Sequence, residues 1–128
     1  MSRIVLDSSV ILAVIHQESG FDKVTPELLA DSVASTVNLA EVQSKLVTSG
    51  WRPEEAWQDA TSTCDDVLPF TSEQAKTAGS LIAQTRPFGL SLGDRACLAL
   101  ALSLNAPVYT ADRSWKSLKV GVRIHVIR

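Results

Sequence analysis

Residues 3–9 read Arg-Ile-Val-Leu-Asp-Ser-Ser and lead directly into the apolar run Val-Ile-Leu-Ala-Val-Ile at 10–15. A short apolar run that ends in polar residues is typical of a buried strand, and the longer run after it has the character of a helix. Asp7 therefore stands at the junction between a first strand and a first helix.

The same alternation of strands and helices continues along the rest of the chain. Further strands are predicted at 32–36, 67–70, 106–110 and 122–127, and helices at about 21–30, 39–50, 53–64, 71–86 and 96–104. Strands separated by helices form a parallel sheet that is covered on both faces. We therefore expect one domain over residues 1–128, with an α/β fold: a three-layer α/β/α sandwich around a short, mostly parallel five-stranded sheet.

The composition fits a protein with a packed core. Hydrophobic residues make up 45% and charged residues 20% of the 128 positions, which excludes a disordered or low-complexity chain. Cys64 and Cys97 are too few for a disulfide framework or a Cys-rich zinc site. Polar residues interrupt the N-terminal apolar run, and no run is long enough to span a bilayer. We expect a soluble cytoplasmic protein without a membrane segment.

Charge is unevenly distributed along the chain. The net charge is −2, which argues against a protein that is cationic overall. Residues 1–64 hold 4 basic and 9 acidic residues, whereas residues 65–128 hold 8 basic and 5 acidic ones. No acidic residue follows Asp112, and the basic residues after it are Arg113, Lys116, Lys119, Arg123 and Arg128. This run is either a solvated basic edge or a patch for a polyanion or an acidic partner segment.

Four acidic residues stand where predicted strands end or helices begin: Asp7, Glu41, Asp94 and Asp112. Each of them has an ordinary structural explanation. Residues 38–41 and 91–94 resemble capping boxes, and the other two carboxylates can cap a helix or form an Asx turn. Taken singly, each acid is explained as a helix cap.

Taken together, these four acids predict a metal site. Parallel topology brings strand ends and the following helix starts to one edge of the sheet. Carboxylates that share a cleft raise one another's pKa unless a cation offsets their charge. Oxygen ligands without nearby His or Cys suit Mg²⁺, with Mn²⁺ as the other candidate. We therefore expect Asp7, Glu41, Asp94 and Asp112 to hold one or two divalent ions.

Four sequence blocks carry a resemblance to a known family. They read Ile-Val-Leu-Asp-Ser-Ser at 4–9, Asn-Leu-Ala-Glu-Val at 38–42, Leu-Ser-Leu-Gly-Asp-Arg-Ala at 90–96 and Tyr-Thr-Ala-Asp-Arg at 109–113. In this order and spacing they resemble the motifs of the PIN-domain nucleases, and more narrowly those of the VapC-type toxins of bacterial toxin–antitoxin pairs. The resemblance extends over nearly the whole chain.

The resemblance implies a PIN-like fold and a metal-dependent endoribonuclease. Asp7, Glu41, Asp94 and Asp112 match the acidic quartet of the family. In such a site, metal-activated water attacks an RNA phosphodiester bond while the carboxylates position the metal and the water. The family also implies a homodimer, and an antitoxin whose tail crosses the site and places Arg or Lys in the acidic pocket.

Further residues match the supporting positions of the family. Ser9 matches the small polar residue that supports the first acid, and Thr110 matches a hydroxyl two residues before the last one. Asn38 stands where many relatives have Ser or Thr. Arg95 and Arg113, each next to a quartet acid, are expected to bind substrate phosphates or to form salt bridges with neighbouring acids.

The helices that carry residues 39–47 and 56–60 are candidates for the surface that anchors such an antitoxin peptide. Trp51 and Trp57 would be its anchors, unless these segments belong to the core.

Two alternative hypotheses give different functions. His16 and His125 could form an acid–base pair that cleaves RNA through the 2′-hydroxyl without a metal. A receiver-like or adaptor α/β domain would bind a single Mg²⁺ without catalysis. That class has paired acids after the first strand and a Lys after the last, whereas here Asp7 is followed by Ser8 and Ser9.

Overall fold

The computed structural model describes residues 2–128 and contains one five-stranded sheet. Its strands are β1 (Ile4–Leu6), β2 (Ser32–Ser35), β3 (Asp66–Leu68), β4 (Val108–Thr110) and β5 (Ile124–Val126). The strand order is β3-β2-β1-β4-β5, and all neighbouring pairs are parallel. The predicted α/β sandwich is confirmed, with the difference that the sheet is parallel throughout rather than mostly parallel.

Helices connect these strands. The α-helices are α1 (Ser8–His16), α2 (Pro26–Ala30), α3 (Thr36–Thr48), α4 (Pro53–Thr63), α5 (Ser72–Ser80), α6 (Ile82–Thr85) and α7 (Leu92–Leu104). Short 3-10 helices cover Phe21–Lys23, Arg86–Phe88 and Arg113–Ser117. Within residues 2–128, none of the helices has the length and apolar character needed to cross a membrane.

Two predicted helices are divided in the structure. The stretch at 21–30 is a 3-10 helix followed by α2, because Thr25 caps a new helix by accepting a hydrogen bond from the Leu28 N–H, and Pro26 occupies its first turn. The stretch at 71–86 divides at Leu81 into α5 and α6.

Side chains of β1 alternate between the two faces of the sheet. Ile4 and Leu6 belong to the core cluster formed with α1, α3 and α4, whereas Val5 belongs to the cluster formed with α7. Leu98 and Leu100 of α7 are almost completely buried. This burial explains why the sequence of α7 is apolar on nearly every side.

The strand order reverses at β1, which lies between β2 and β4. Val5 pairs with Val33 on one side and with Val108 on the other. In a parallel sheet, such a reversal opens a crevice beyond the carboxyl ends of the strands, and ligands bind there. Asp7 directly follows β1 and Asp112 lies just beyond β4. The fold therefore directs two of the four acids to this crevice.

The first residues of α3 and α7 show whether the two predicted capping boxes form. The Ser35 hydroxyl caps α3 by accepting from the Val37 N–H, so the helix begins three residues earlier than a cap at Asn38 requires. The predicted box at 38–41 is therefore wrong, because β2 runs into α3 without a loop. The box at the start of α7 is confirmed: Ser91 and Asp94 bond each other's main-chain N–H groups.

The segment after Asp112 forms the 3-10 helix Arg113–Ser117, where the sequence pattern suggests only a loop. Its Trp115 is fully buried and packs in the core cluster that also contains Leu118 and α7. Trp115 therefore packs this segment onto the domain, while Arg113 and Lys116 remain exposed.

Candidate functional site

Asp7 is the most buried of the four acids, with 3% of its surface exposed. It occupies the N-cap position of α1, yet its side chain makes no capping hydrogen bond. Instead, the hydroxyls of Ser9 and Thr110 both donate to Asp7 Oδ2, at 2.6 and 2.9 Å. The other oxygen, Oδ1, is buried without a hydrogen-bond partner among the described residues. A capping role therefore does not explain Asp7.

The two hydroxyls also join the ends of β1 and β4. Ser9 Oγ accepts from the Ala111 N–H at 2.9 Å, and Thr110 Oγ1 accepts from the Asp112 N–H at 3.1 Å. Each hydroxyl thus donates a hydrogen bond to Asp7 and accepts one from the backbone that leads to Asp112. The position of Asp7 is coupled in this way to the position of Asp112.

Glu41 lies in the second turn of α3 and is held by one side chain from α1 and one from α3. Ser8 Oγ donates to Glu41 Oε1 at 2.6 Å, and Asn38 Nδ2 donates to the same oxygen at 3.1 Å. Asn38 also donates to the Gly93 carbonyl at 3.0 Å, which ties α3 to the first turn of α7. Asn38, a predicted supporting residue, thus contacts Glu41.

Ser8 and Gly93 are site residues that the sequence analysis missed. Any Cβ at position 93 would overlap the carboxylate of Glu41, so glycine is required for this approach. A glycine in the first turn of an otherwise Ala- and Leu-rich helix, directly before an acid, was the signal for it. Ser8 carried no such signal, because its partner is 33 positions away.

Asp94 combines a structural and a site position. Its Oδ2 accepts from the Ser91 N–H at 2.9 Å, as the capping box requires. Burial is the largest cause that raises the pKa of Asp94, and the negative charges of Glu41 and Asp112 raise it further. The hydrogen bonds from Ser91 act in the opposite direction.

Asp112 has the capping role that the sequence allows. Its Oδ1 accepts from the N–H and the hydroxyl of Ser114, at 2.9 and 2.8 Å, and so caps the 3-10 helix Arg113–Ser117. Unlike Asp7, it is exposed. Asp112 is therefore the acid of the site that solvent reaches most freely.

Electrostatic interactions connect the four acids in pairs through Asp94, which interacts with Asp7, Glu41 and Asp112. Burial raises the pKa of Asp7 from 3.8 to about 6; the hydrogen bond from Ser9 lowers it in part, and the charge of Asp94 adds to the rise. Burial also raises the pKa of the Cys97 thiol, with further contributions from Asp7, Asp94 and Glu41. Cys97 therefore lies within electrostatic reach of three of the acids.

The four acids offer one oxygen that suits a metal ion. Among residues 2–128, no group of three or more Asp, Glu, His or Cys side chains is gathered closely enough to hold an ion as the structure stands. Two oxygens are engaged elsewhere, Asp94 Oδ2 with Ser91 and Asp112 Oδ1 with Ser114. Asp7 Oδ1, buried and unpartnered beside other carboxylates, is the atom that fits a hard divalent cation.

The two predicted phosphate-binding arginines lie in different surroundings. Arg95 donates to the Ala78 carbonyl of α5 at 2.9 Å. Arg113 lines an open depression of about 490 Å³ together with Ser9 and Asp112. Neither arginine forms a salt bridge with an acid among residues 2–128. The site's edge thus contains Arg113, whereas Arg95 connects two helices.

A comparison with known protein families classifies the chain. The family model for the PIN domain matches residues 4–120. The chain belongs to the PIN domain family. None of the curated proteins matches the sequence significantly.

Solved structures share the PIN domain's architecture at low sequence identity. VapBC2 from Rickettsia felis, bound to a DNA fragment from its promoter, is 19% identical with a TM-score of 0.72, over 98% of each chain. DNA-bound VapBC from Salmonella typhimurium is 18% identical with a TM-score of 0.75, over 100% of each chain. VapC20 from Mycobacterium tuberculosis, a Sarcin-Ricin loop cleaving toxin, is 17% identical with a TM-score of 0.74, over 94% of this chain and 98% of that one. At these identities the likeness shows the shared fold.

The PIN-domain topology also distinguishes this chain from a receiver domain. Receiver domains have the strand order 2-1-3-4-5, whereas here the order is β3-β2-β1-β4-β5. The receiver-like form of the non-catalytic hypothesis is therefore excluded by the fold.

Asp7→Asn should stabilise the metal-free PIN domain at pH 8 but not at pH 3.5. The unfolded carboxyl ionises above about 3.8 and the folded one only above about 6. Since the folded pKa is raised, the charged form destabilises the fold increasingly between these values, reaching about 3 kcal/mol above them. Urea denaturation in EDTA at pH 3.5, 5 and 8 measures the difference. Asp59→Asn, at an exposed position of α4, is the control, and a gain independent of pH would contradict the expectation.

Gly93→Ala should displace Glu41 without unfolding the protein. Alanine normally stabilises a helix by about 1 kcal/mol relative to glycine. Here the new Cβ would push the flexible Glu41 carboxylate away from Ser8 and Asn38, offsetting that gain. A crystal structure and a thermal melt of the variant check both effects. Gly79→Ala in α5, where a Cβ meets nothing, is the control; a Gly93 variant equally stabilised with Glu41 in place would refute the expectation.

Proposed function

We propose that this PIN domain is a divalent-metal-dependent endoribonuclease that acts as the toxin of a toxin–antitoxin pair. The observation that carries the proposal is Asp7 Oδ1, a buried carboxylate oxygen without a partner, at the point where the strand order reverses. A buried polar atom of this kind needs a ligand to explain it.

The metal would be held by the acidic quartet, Asp7, Glu41, Asp94 and Asp112, with Mg²⁺ or Mn²⁺ as the ion. When bound, such an ion supplies an activated water and offsets the charge that develops on the phosphate during attack. The chain's own residues prepare the acids for this role. Ser9 and Thr110 engage one oxygen of Asp7 and leave the other free.

Orientation of the second acid depends on α1 and α3. Ser8 and Asn38 hold one oxygen of Glu41, and the missing side chain at Gly93 lets its carboxylate approach α7. Asp94 and Asp112 each use one oxygen in a cap, which fixes their side chains while the second oxygen stays available. Carboxylates that are already held in place need less reorganisation when substrate binds.

RNA is proposed as the substrate class because of the family and its structural neighbours. VapC20, which shares the fold, is a toxin that cleaves the Sarcin-Ricin loop. The absence of a Gly-rich phosphate loop after β1, where the chain reads Asp7-Ser8-Ser9, argues against a nucleotide cofactor at the same crevice. A cytoplasmic location stays a prediction.

An antitoxin partner and a homodimer complete the proposal. The neighbours from Rickettsia felis and Salmonella typhimurium are VapBC complexes. On this chain, Val37 and Ala40 line an open depression of about 500 Å³ next to Glu41. Of the two predicted anchors, Trp51 packs against the core, whereas Trp57 is 38% exposed. Trp57 is therefore the anchor that a partner can contact.

The other residues of α3 and α4 that were predicted to anchor a partner cannot contact one. Leu39, Val42 and Leu46 of α3 and Ala56 and Ala60 of α4 are completely buried. The predicted anchoring by these residues is wrong because α3 and α4 use them to pack against the sheet and each other.

Asp7→Asn and Asp94→Asn should each reduce RNA cleavage by about 100-fold or more while the protein stays folded. Each change removes a charged ligand at constant volume, and changes to residues that merely support metal ligands already cost about 10–100-fold. Cleavage assays and thermal melts are measured together, with Asp59→Asn as the control.

Ser91→Ala separates the capping of α7 from the proposed catalytic role of Asp94. It removes the hydroxyl that accepts a hydrogen bond from the Asp94 N–H but keeps the Asp94 carboxylate, so it should cost about 1 kcal/mol of stability and leave cleavage nearly unchanged. If Asp7→Asn and Asp94→Asn also retain full cleavage, the quartet is not the active site.

EDTA should abolish cleavage, and Mg²⁺ or Mn²⁺ should restore it and raise the melting temperature, because an ion bound only by the folded state stabilises it.

The ends of the cleaved RNA distinguish the metal mechanism from the histidine mechanism. Water attack leaves a 5′-phosphate and a 3′-hydroxyl, whereas attack by the 2′-hydroxyl leaves a cyclic phosphate. His16→Ala and His125→Ala should leave cleavage unchanged, because neither histidine belongs to the acidic quartet; His125 stacks on Tyr109 with the ring centroids 4.7 Å apart. Cyclic ends that persist in EDTA would instead favour the histidine pair.

Co-expression with a neighbouring short reading frame should yield a complex in which cleavage is suppressed. The acidic pocket attracts a basic side chain, which can occupy the place of a metal ion. Trp57→Ala should weaken the complex by about 10-fold or more, as loss of an interface tryptophan commonly does. Ile82→Ala, an exposed residue of α6, is the control. A partner that binds without suppressing cleavage would argue against occlusion of the site.

A further inference from the structure

Basic side chains surround a depression beside the acidic site. This depression, here named the basic groove, has a volume of about 470 Å³ and is lined by Lys23, Arg113, Lys116 and Arg128, with Ile124 and Val126 of β5. Its cationic residues come from the 3-10 helices Phe21–Lys23 and Arg113–Ser117 and from the segment after β5. The basic residues after Asp112 are thus brought together with one cation from the N-terminal half.

The basic groove is connected with the acidic site. Arg113 and Arg128 also line the neighbouring depression that contains Ser9, Ala111 and Asp112. These two arginines therefore form a wall common to both depressions. Arg113 is fixed at this wall because its Nε donates to the Arg128 carbonyl at 3.0 Å.

Most of these cations lack an acidic partner. Across residues 2–128 the structure contains one ion pair, between Arg128 and Glu18 at 3.6 Å. Lys23, Arg113 and Lys116 are exposed and form none. Three unpaired cations around one depression repel one another, so an anion that binds there gains from all three.

We propose that the basic groove binds the phosphates of a single RNA strand on one side of the cleaved bond, with the strand passing the Arg113–Arg128 wall to reach Asp112 and Asp7. This inference rests on the proposed nuclease function. A cluster of carboxylates repels a polyanion, so an acidic cleavage site needs cations next to it to hold its substrate. The basic groove supplies them at the edge where Asp112 is exposed.

The shape and lining of the groove favour RNA over an acidic peptide. An acidic peptide held only by positive charge could stay within the basic groove. An RNA strand that is cut at the acidic quartet must also cross the wall that the two depressions share. Ile124 and Val126 are partly buried and form an apolar lining between the cations. Unstacked bases and riboses of a single strand can pack on such side chains while the phosphates meet the cations.

The test measures binding without cleavage. A fluorescein-labelled 12-nucleotide single-stranded RNA is titrated with protein in EDTA, and anisotropy gives the Kd at several salt concentrations. The variant K23Q/R113Q/K116Q is compared with R52Q/K76Q/R86Q, which removes the same number of positive charges at exposed positions that line neither depression. Thermal melts confirm that both are folded, and K23Q/K116Q replaces the first if loss of the Arg113 bond unfolds it.

We expect the groove variant to bind at least 10-fold more weakly than wild type at low salt. Its slope of log K against log salt should fall by about 2, since each lost contact with a single strand removes about 0.7. The matched control should bind like wild type. Equal weakening of both variants, or no weakening of either, would overturn the proposal, as would a polyglutamate peptide that displaces the RNA at equal charge concentration.

Failure of the groove and failure of the nuclease function give different results. RNA that binds through the groove but is never cut after Mg²⁺ or Mn²⁺ is added would contradict the proposed function and leave the groove supported. Cleavage by the groove variant with an unchanged KM would overturn the groove and leave the nuclease supported. With both correct, K23Q/K116Q raises KM and leaves kcat nearly unchanged, because neither lysine lines the depression that contains Asp112.

Discussion

The two hydroxyl hydrogen bonds to one oxygen of Asp7 are the interaction on which the rest of the site depends. Ser9 and Thr110 both use Oδ2, so the charge of a buried carboxylate remains uncompensated at Oδ1. Burying such an oxygen costs free energy unless a ligand or a proton satisfies it. The same hydroxyls also accept hydrogen bonds from the N–H groups of Ala111 and Asp112, the two residues that follow β4. One small network therefore sets the position of two acids and leaves a free ligand atom between them.

Asp94 caps a helix with one carboxylate oxygen, and its other oxygen makes no hydrogen bond to a described residue. One of its oxygens completes the capping box with Ser91, while its pKa is raised by burial and by nearby acids. A cap also immobilises the side chain, which a metal ligand needs. The helix starts at this edge of the sheet thus supply both the acids and the groups that orient them. A capping bond at such a carboxylate therefore does not by itself exclude a functional role for its second oxygen.

Sequence patterns predicted the strands well because a buried parallel strand leaves a short apolar run between polar breaks, as at 4–6 and 108–110. They also singled out four acids, of which Asp7, Asp94 and Asp112 stand at element boundaries in the structure, whereas Glu41 lies in the second turn of α3. The start of α3 was misplaced because the cap, Ser35, also ends β2. Ser8 could not be predicted from local pattern, since its role depends on a contact with Glu41 across two helices. The orientation of Arg95 toward Ala78 likewise depends on how α5 packs on α7.

The order in which the chain emerges from the ribosome gives the hydrogen bond between Thr110 and Asp7 a further meaning. The two residues are 103 positions apart, and β1 pairs with β4 to bring them together. During synthesis, β1 and α1 emerge early but lack the strand that completes the centre of the sheet. Contacts between residues this distant in sequence form late, because their loop must close first. An unfinished chain therefore carries the first acid without the hydroxyl that orients it, so this pair of site residues is completed only after β4 has been synthesised.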